Sequence, residues 1–232
     1  MIRKGLIGSI PLLILIGALG AAGWFMVPAG EAVAVHWGTG GEVNRTGGRL
    51  EAFVFMPILA LGLTLIFVVA PYIDPRGRNL EKSSALWLTA WLGTLVVLAI
   101  AQGVITLSAI GLIEAGSATM PRIIASLVAL FIIVIGNFLS KARPNWFAGI
   151  RTPWTLSSDR SWDVTHRWAA RLFIAAGLGS LAAVWLTDKD TGWMIMLAAI
   201  LFAALLPVGL SYFVWRADPR RETYSAQTGK KD

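Results

Sequence analysis

The most distinctive part of this chain is residues 135–167, which read IGNFLSKARPNWFAGIRTPWTLSSDRSWDVTHR. This stretch is polar and rich in tryptophan, and long hydrophobic runs lie on both sides of it. A segment that only connects two helices is usually short, so a polar segment of this length predicts a connection with structure of its own. We therefore expect specific contacts to concentrate here.

The chain is too hydrophobic to cover a soluble globule of its length with polar surface. Of its 232 residues, 56% are hydrophobic and 14% are charged, whereas soluble domains have about 25% charged residues. A helix needs about 20 apolar residues to cross the hydrocarbon core of a bilayer. Six runs approach or exceed that length: 6–26, 53–72, 86–113, 123–139, 172–186 and 193–214. We predict an all-α membrane protein with six transmembrane helices, the first of them uncleaved.

Basic residues are distributed unevenly between the two sets of loops. If the N-terminus is cytoplasmic, only four of the twenty lysines and arginines fall on the outer side: Arg45, Arg49, Arg122 and Lys189. Cytoplasmic loops carry the excess of basic residues in membrane proteins, so both termini are predicted to be cytoplasmic. The same distribution accounts for the pI of about 10.2. Because no recognition motif accompanies this charge, we expect no nucleic-acid partner.

The chain divides into three regions. Residues 1–80 contain the first two transmembrane helices and a long extracytoplasmic loop, 28–52. Residues 81–215 contain four helices and a cytoplasmic loop, 140–168, and residues 216–232 form a cytoplasmic tail.

Each long loop has a recognisable local pattern. Residues 32–37 alternate, with Val33, Val35 and Trp37 on one side, and the glycines of 38–41 follow, which predicts a short strand and a turn. In the inner loop, Ser157 or Ser158 is suited to cap a helix that continues into the fifth span.

The inner loop also suggests side-chain contacts. Asp163 lies three residues before His166 and four before Arg167 on the predicted helix, so an ionic and hydrogen-bonded cluster is expected, within reach of Arg151. Trp154 is expected either to anchor the loop at the headgroup level, or to wall a binding pocket or stack on the Arg151 guanidinium. Asn137 is expected to bond a neighbouring helix or the inner loop.

Two blocks of residues resemble the SdpI family of bacterial multi-pass membrane proteins, which are of the immunity-protein type. The first block contains the candidate signature residues Asn137, Asn145, Gly149, Arg151, Thr152, Pro153, Trp154, Trp162, Asp163, Thr165, His166 and Arg167. The second is similar to a small N-terminal domain of that family and contains His36, Trp37, Gly38, Asn44 and Arg45. One departure is Ser140, where many relatives have proline.

The resemblance implies an immunity or signalling protein of the bacterial cytoplasmic membrane. Such a protein gives tolerance to a membrane-active peptide or toxin, with a peptide toxin and a cytoplasmic regulatory protein as partners besides the lipid bilayer. Two alternatives are a small-molecule or lipid transporter and a membrane enzyme that acts at the inner headgroup level through Asp163 and His166. The predicted spans contain no ionisable residue, which disfavours ion-coupled transport.

We expect no metal, no cofactor and no catalytic activity. The chain has no cysteine, and its two histidines, His36 and His166, fall on opposite membrane faces in the predicted topology. Zinc sites need several such ligands in one place. No nucleophile accompanies Asp163 and His166, so a non-enzymatic role is favoured. A homo-oligomer is left open.

Overall fold

The computed structural model describes residues 1–114, 116 and 119–221, and its architecture in these residues is a helical bundle with one small β-hairpin. The predicted tail falls mostly outside them. The helices are Ile2–Met26 (α1), Arg49–Phe53 (α2), Phe55–Ile73 (α3), Gly77–Lys82 (α4), Ser84–Ala109 (α5), Thr119–Leu139 (α6), Pro153–Leu156 (α7), Asp159–Leu186 (α8) and Lys189–Arg216 (α9). Six of the helices are long and apolar enough to cross a membrane, which confirms the six predicted spans.

Close packing between the long helices depends on small residues. The helices form two groups, α1 with α3 and α5, and α6 with α8 and α9, and α5 and α6 join the groups. Gly5 of α1 lies against the Trp91 ring of α5, and Gly177 of α8 lies against Ile133 of α6. Between membrane helices, where lipid is as apolar as the side chains, such close approach provides van der Waals contact.

A buried polar network fixes the first group. The Gln102 side chain is fully buried, and its Nε2 donates to the Ala52 carbonyl at 3.1 Å and to Thr106 Oγ1 at 3.0 Å. Thr106 in turn donates to the Leu19 carbonyl at 3.1 Å. These bonds tie α5 to α1 and to α2, as polar side chains do between membrane helices.

The loop between α1 and α2 forms an antiparallel hairpin from strands Val33–Trp37 (β1) and Val43–Gly47 (β2). The predicted strand at 32–37 is confirmed. Its apolar side packs with Val27, Phe53 and Ile105 at the ends of α1, α2 and α5. Strand β2 was not predicted, because its residues are polar and mostly exposed and its place depends on backbone pairing with β1.

The two long loops lie at opposite ends of the bundle. The hairpin packs on the C-terminal end of α5 at Ile105. Residues of the inner loop bind its N-terminal end, where the Arg143 N–H donates to Ser83 Oγ at 2.8 Å. With 26 residues, α5 separates the two by about 39 Å. We call them the hairpin end and the signature end. The placement of the signature end in the cytoplasm remains a prediction.

The close approach of α1 to α2 can be tested at two glycines of the same helix. A Cβ on Gly20 would lie 2.4 Å from the Phe53 carbonyl oxygen, whereas a Cβ on Gly17 would meet nothing within 4 Å. Gly20→Ala is expected to lower the free energy of unfolding by about 1–3 kcal/mol, because backbone has to shift. Gly17→Ala is the control and is expected to cause no loss. Denaturant unfolding in detergent measures both, and equal stabilities would contradict the packing described.

Candidate functional site

Asn145 shapes the signature loop, which we define as residues 140–152. The side chain is fully buried. Its Oδ1 accepts from the backbone N–H groups of Phe147 at 2.9 Å and Ala148 at 2.6 Å. Its Nδ2 donates to the carbonyls of Arg143 at 2.7 Å and Ala148 at 3.0 Å. Both donors and the acceptor of the amide are therefore used within the loop.

Trp162 and His166 fasten the loop to the first turns of α8. The Trp162 ring is fully buried, stacks on the imidazole with ring centroids 4.0 Å apart, and donates from Nε1 to the Ala142 carbonyl at 2.8 Å. His166 Nε2 accepts from the Ile150 N–H at 2.9 Å, and Nδ1 lies 2.8 Å from the Trp162 carbonyl. Since Nε2 accepts, we assign the proton to Nδ1 in a neutral ring. Neither nitrogen is then free to act as a base or a metal ligand.

Gly149 is required at its position for two reasons. Its φ is +116°, a conformation that side-chain-bearing residues rarely adopt. In addition, a Cβ there would lie 2.3 Å from His166 Nε2. The glycine of the signature thus permits the histidine to reach the loop backbone.

The Thr152-Pro153 pair starts a short helix that connects the loop to α9. Thr152 and Thr155 form a reciprocal capping box around α7, with Pro153 in the first turn. The Thr152 hydroxyl also lies 3.1 Å from Ser211 Oγ of α9, and Ser161 donates to the Ser211 carbonyl at 2.9 Å. Sequence reasoning missed Ser211. The available signal was the single serine in the apolar run 193–214.

The connection between α3 and α5 holds the loop from the other side. Asp74 accepts from the Trp146 N–H at 3.1 Å, and Arg76 donates from Nη2 to the Leu156 carbonyl at 3.1 Å. Asn79 donates to the Pro144 carbonyl at 2.8 Å. These residues were not predicted, because their partners lie more than sixty positions away in the chain.

A polar cleft of about 270 Å³ opens beside the start of α8. Three arginines and three aspartates line it: Arg76, Arg160, Arg220, Asp159, Asp163 and Asp218. Ser158, the N-cap of α8, donates to Asp218 Oδ2 at 2.6 Å, and this bond holds the pKa of Asp218 below its usual value. The predicted capping of this helix by Ser157 or Ser158 is thereby confirmed.

The predicted ionic cluster is wrong. Asp163, Arg167 and Arg151 are exposed, and the ion pair among the described residues is Arg45 with Glu51, at 2.5 Å. The Arg151 guanidinium donates instead to the Trp146 carbonyl at 2.8 Å. Exposed charges remain solvated and gain little from pairing, so helical spacing alone does not bring them together.

The expected stacking of Trp154 on Arg151 and the expected hydrogen bond of Asn137 are also wrong, whereas the anchoring of Trp154 at the headgroup level stays a prediction. Trp154 does not stack on Arg151 but packs edge-on against Tyr212 of α9, with ring centroids 5.3 Å apart. Asn137 is exposed and makes no side-chain hydrogen bond to the described residues. Thr165 is fully buried in α8 next to His166.

The second block of predicted residues forms the hairpin. His36 Nδ1 lies 2.6 Å from Asn44 Oδ1, and the Gly38 N–H donates to the Glu42 carbonyl to close the turn. Thr39 Oγ1 donates to Asp190 Oδ1 of α9 at 2.5 Å. The hairpin therefore contacts both helix groups. His36 and His166 lie at opposite ends of the bundle, so they do not share a site.

Comparison with known proteins identifies both regions. Residues 141–211 match the SdpI/YfhL protein family, and residues 12–61 match a domain of unknown function, DUF1648. The chain is 24% identical over 186 residues to the Immunity protein SdpI of Bacillus subtilis (strain 168), across 80% of this chain and 84% of that protein. No solved structure matches the chain. The predicted resemblance is confirmed, and with six helices able to cross a membrane the chain is a multi-pass membrane protein.

The two histidines are expected to differ sharply in their effect on stability. His166→Ala removes a buried ring and leaves the Ile150 N–H without its acceptor, so it is expected to lower the free energy of unfolding by about 3 kcal/mol or more. The exposed His36 is the control, and His36→Ala is expected to change the free energy of unfolding by about 0.5 kcal/mol or less. Denaturant unfolding of the detergent-solubilised protein measures both. Similar losses for the two variants would contradict the role of His166.

Gly149→Ala tests the same contact from the loop. The added methyl group collides with His166 and the backbone is strained, so stability is expected to fall by about 1–3 kcal/mol. Gly179→Ala on the exposed face of α8, where a Cβ meets nothing within 4 Å, is the matched control. It is expected to be neutral or slightly stabilising. Thermal melts measure both variants. A melting temperature for Gly149→Ala equal to or above that of Gly179→Ala would contradict the contact between Gly149 and His166.

Proposed function

We propose that this protein protects a bacterium against a membrane-active peptide, without catalysis, with its hairpin end outside and its signature end in the cytoplasm. One observation carries the proposal. The hairpin lies within the matched residues 12–61, residues 141–152 of the signature loop lie within the matched residues 141–211, and these two loops lie at opposite ends of the bundle. The name of the Bacillus relative, an immunity protein, supports the protective role.

The number of arginines at each end supports this orientation. The signature end holds Arg76, Arg160 and Arg220 around one cleft, with Arg143 and Arg151 in the adjoining loop. The loops at the hairpin end contain three arginines by sequence: Arg45, Arg49 and Arg122. Cytoplasmic loops of membrane proteins carry the excess of basic residues.

The bonding of the signature end supports a non-catalytic role. A general base needs a free lone pair within reach of a substrate proton, but His166 uses both ring nitrogens on the backbone of its own chain. Asp163 is exposed and is not hydrogen-bonded to that ring. The polar groups here hold a loop in place rather than surround a substrate.

The cavity between α5 and α6 favours protection over transport of a polar solute. It measures about 470 Å³, and its lining is mainly leucine, valine, isoleucine and phenylalanine from both helices. Transport sites for charged or polar solutes place polar groups or helix ends near the middle of the bilayer. This cavity offers such a solute no comparable set of partners.

Helix α9 is suited to connect the two ends. At the hairpin end, Asp190 accepts from Thr39, and at the signature end Ser211 contacts Thr152. About 32 Å of helix separates these two contacts. A shift of the hairpin would therefore act on the signature loop through one rigid element. The polar cleft beside α8 is the surface that we assign to a cytoplasmic regulatory partner.

A survival assay tests the protective role. A peptide-sensitive bacterium expressing this protein is expected to survive challenge with a membrane-active peptide better than cells carrying an empty vector. Arg151→Ala is expected to reduce this protection at unchanged membrane abundance, because the guanidinium holds the Trp146 carbonyl in the signature loop.

Arg167→Ala is the matched control for this assay. Arg167 is also exposed near the signature end but makes no ion pair or side-chain hydrogen bond to the described residues. This variant is expected to protect like the wild type. Equal killing of the wild-type and empty-vector cells would contradict the proposed function for the peptides used.

A further inference from the structure

A cavity of about 540 Å³ lies beneath the hairpin, between α3, α5, α6 and α9. The hairpin forms its roof, and apolar side chains form most of its walls, including Met56, Val104, Ile105 and Ile124. This volume lies within the range of about 300–1,000 Å³ that is typical of ligand pockets.

The cavity suits an apolar occupant. Most of its polar side chains belong to the roof, where His36 and Asn44 are already bonded to each other at 2.6 Å. The exception is Trp193 of α9, whose buried indole N–H has no hydrogen-bond partner among the described residues. Water needs several hydrogen-bonding partners to remain in a cavity, and these walls provide few. An apolar side chain would displace such water at little cost.

The rim of the cavity is acidic. Glu42 is exposed and its carboxylate lies against Gly38, which lines the cavity. Asp190 is exposed as well and holds Thr39, another lining residue. By sequence the loops at this end contain six carboxylates and four basic residues. The net charge of these loops, counted from the sequence, is therefore −2.

We propose, as a consequence of the protective function proposed above, that this cavity binds a cationic amphipathic peptide. One of its apolar side chains fills the cavity, and its basic side chains pair with Glu42 and Asp190. An apolar cavity with an acidic rim is complementary to a peptide whose apolar and basic residues lie side by side. A basic side chain at Asp190 competes with Thr39, which loosens the contact between the hairpin and α9.

Binding of a designed peptide tests this assignment. The probe is a fluorescent amphipathic helix made only of leucine and lysine, and the protein is held in nanodiscs of zwitterionic lipid, with empty nanodiscs as the baseline. Ala101 lines the cavity and is partly exposed, so Ala101→Trp fills it. This variant is expected to bind the peptide about tenfold more weakly or worse. Ala198→Trp, on an exposed face of α9, is the control and is expected to bind like the wild type.

The charged rim is tested separately by a variant on the surface of the hairpin. Glu42→Gln is expected to weaken binding by about two- to fivefold at low salt, and by less at high salt, because an exposed ion pair is screened. A counterpart peptide with glutamate in place of lysine is expected to bind far more weakly. Equal affinity of the two peptides, or equal affinity of wild type and Ala101→Trp, would overturn the proposal. So would a lipid that co-purifies with the wild type and is lost from Ala101→Trp while peptide binding is unchanged.

The same variants in the survival assay separate this inference from the proposed function. If wild-type cells are not protected, the function fails whatever the peptide binds. If wild-type and Ala101→Trp cells are protected equally and bind the probe equally, the cavity assignment fails and the protective function stands.

Discussion

The hydrogen bond from the Ile150 N–H to His166 Nε2 is the contact on which the signature end depends. It fixes the proton on Nδ1, and the ring then stacks on Trp162, whose indole holds the Ala142 carbonyl. Gly149 has to be glycine for the ring to approach the loop. Next to a bilayer, a backbone group without a partner is costly. Internal hydrogen bonds therefore satisfy the backbone of the signature loop, and His166 of α8 has the structural role of accepting one of them.

The two ends of the bundle are built differently, and the difference indicates a division of roles. At the signature end, buried side chains such as Asn145 and Thr155 satisfy the loop backbone. The hairpin end keeps an apolar cavity with the exposed carboxylates of Glu42 and Asp190 at its rim. An unfilled apolar cavity suits contact with a ligand, whereas a loop whose backbone groups are already bonded suits a fixed platform beside the polar cleft. Helix α9 touches both ends.

The features predicted from sequence are those set by local chemistry. The length of the apolar runs predicted the six spans. The capping preference of serine predicted the start of α8 at Ser158, and the alternation of side chains predicted the strand that contains Val35. The errors concern tertiary partners. Asp163 and Arg167 have the spacing of an ion pair but stay apart in solvent. Asp74 and Ser211 were missed because nothing near them in sequence reveals which backbone or side-chain groups they bind.

The orientation of the two ends is the central claim, and cysteine accessibility measures it most directly. The chain contains no cysteine, so Glu42→Cys and Arg151→Cys each introduce a single exposed thiol. A membrane-impermeant maleimide applied to intact cells is predicted to label position 42, and to label position 151 only after permeabilisation. Labelling of position 151 in intact cells, with position 42 protected, would contradict the account.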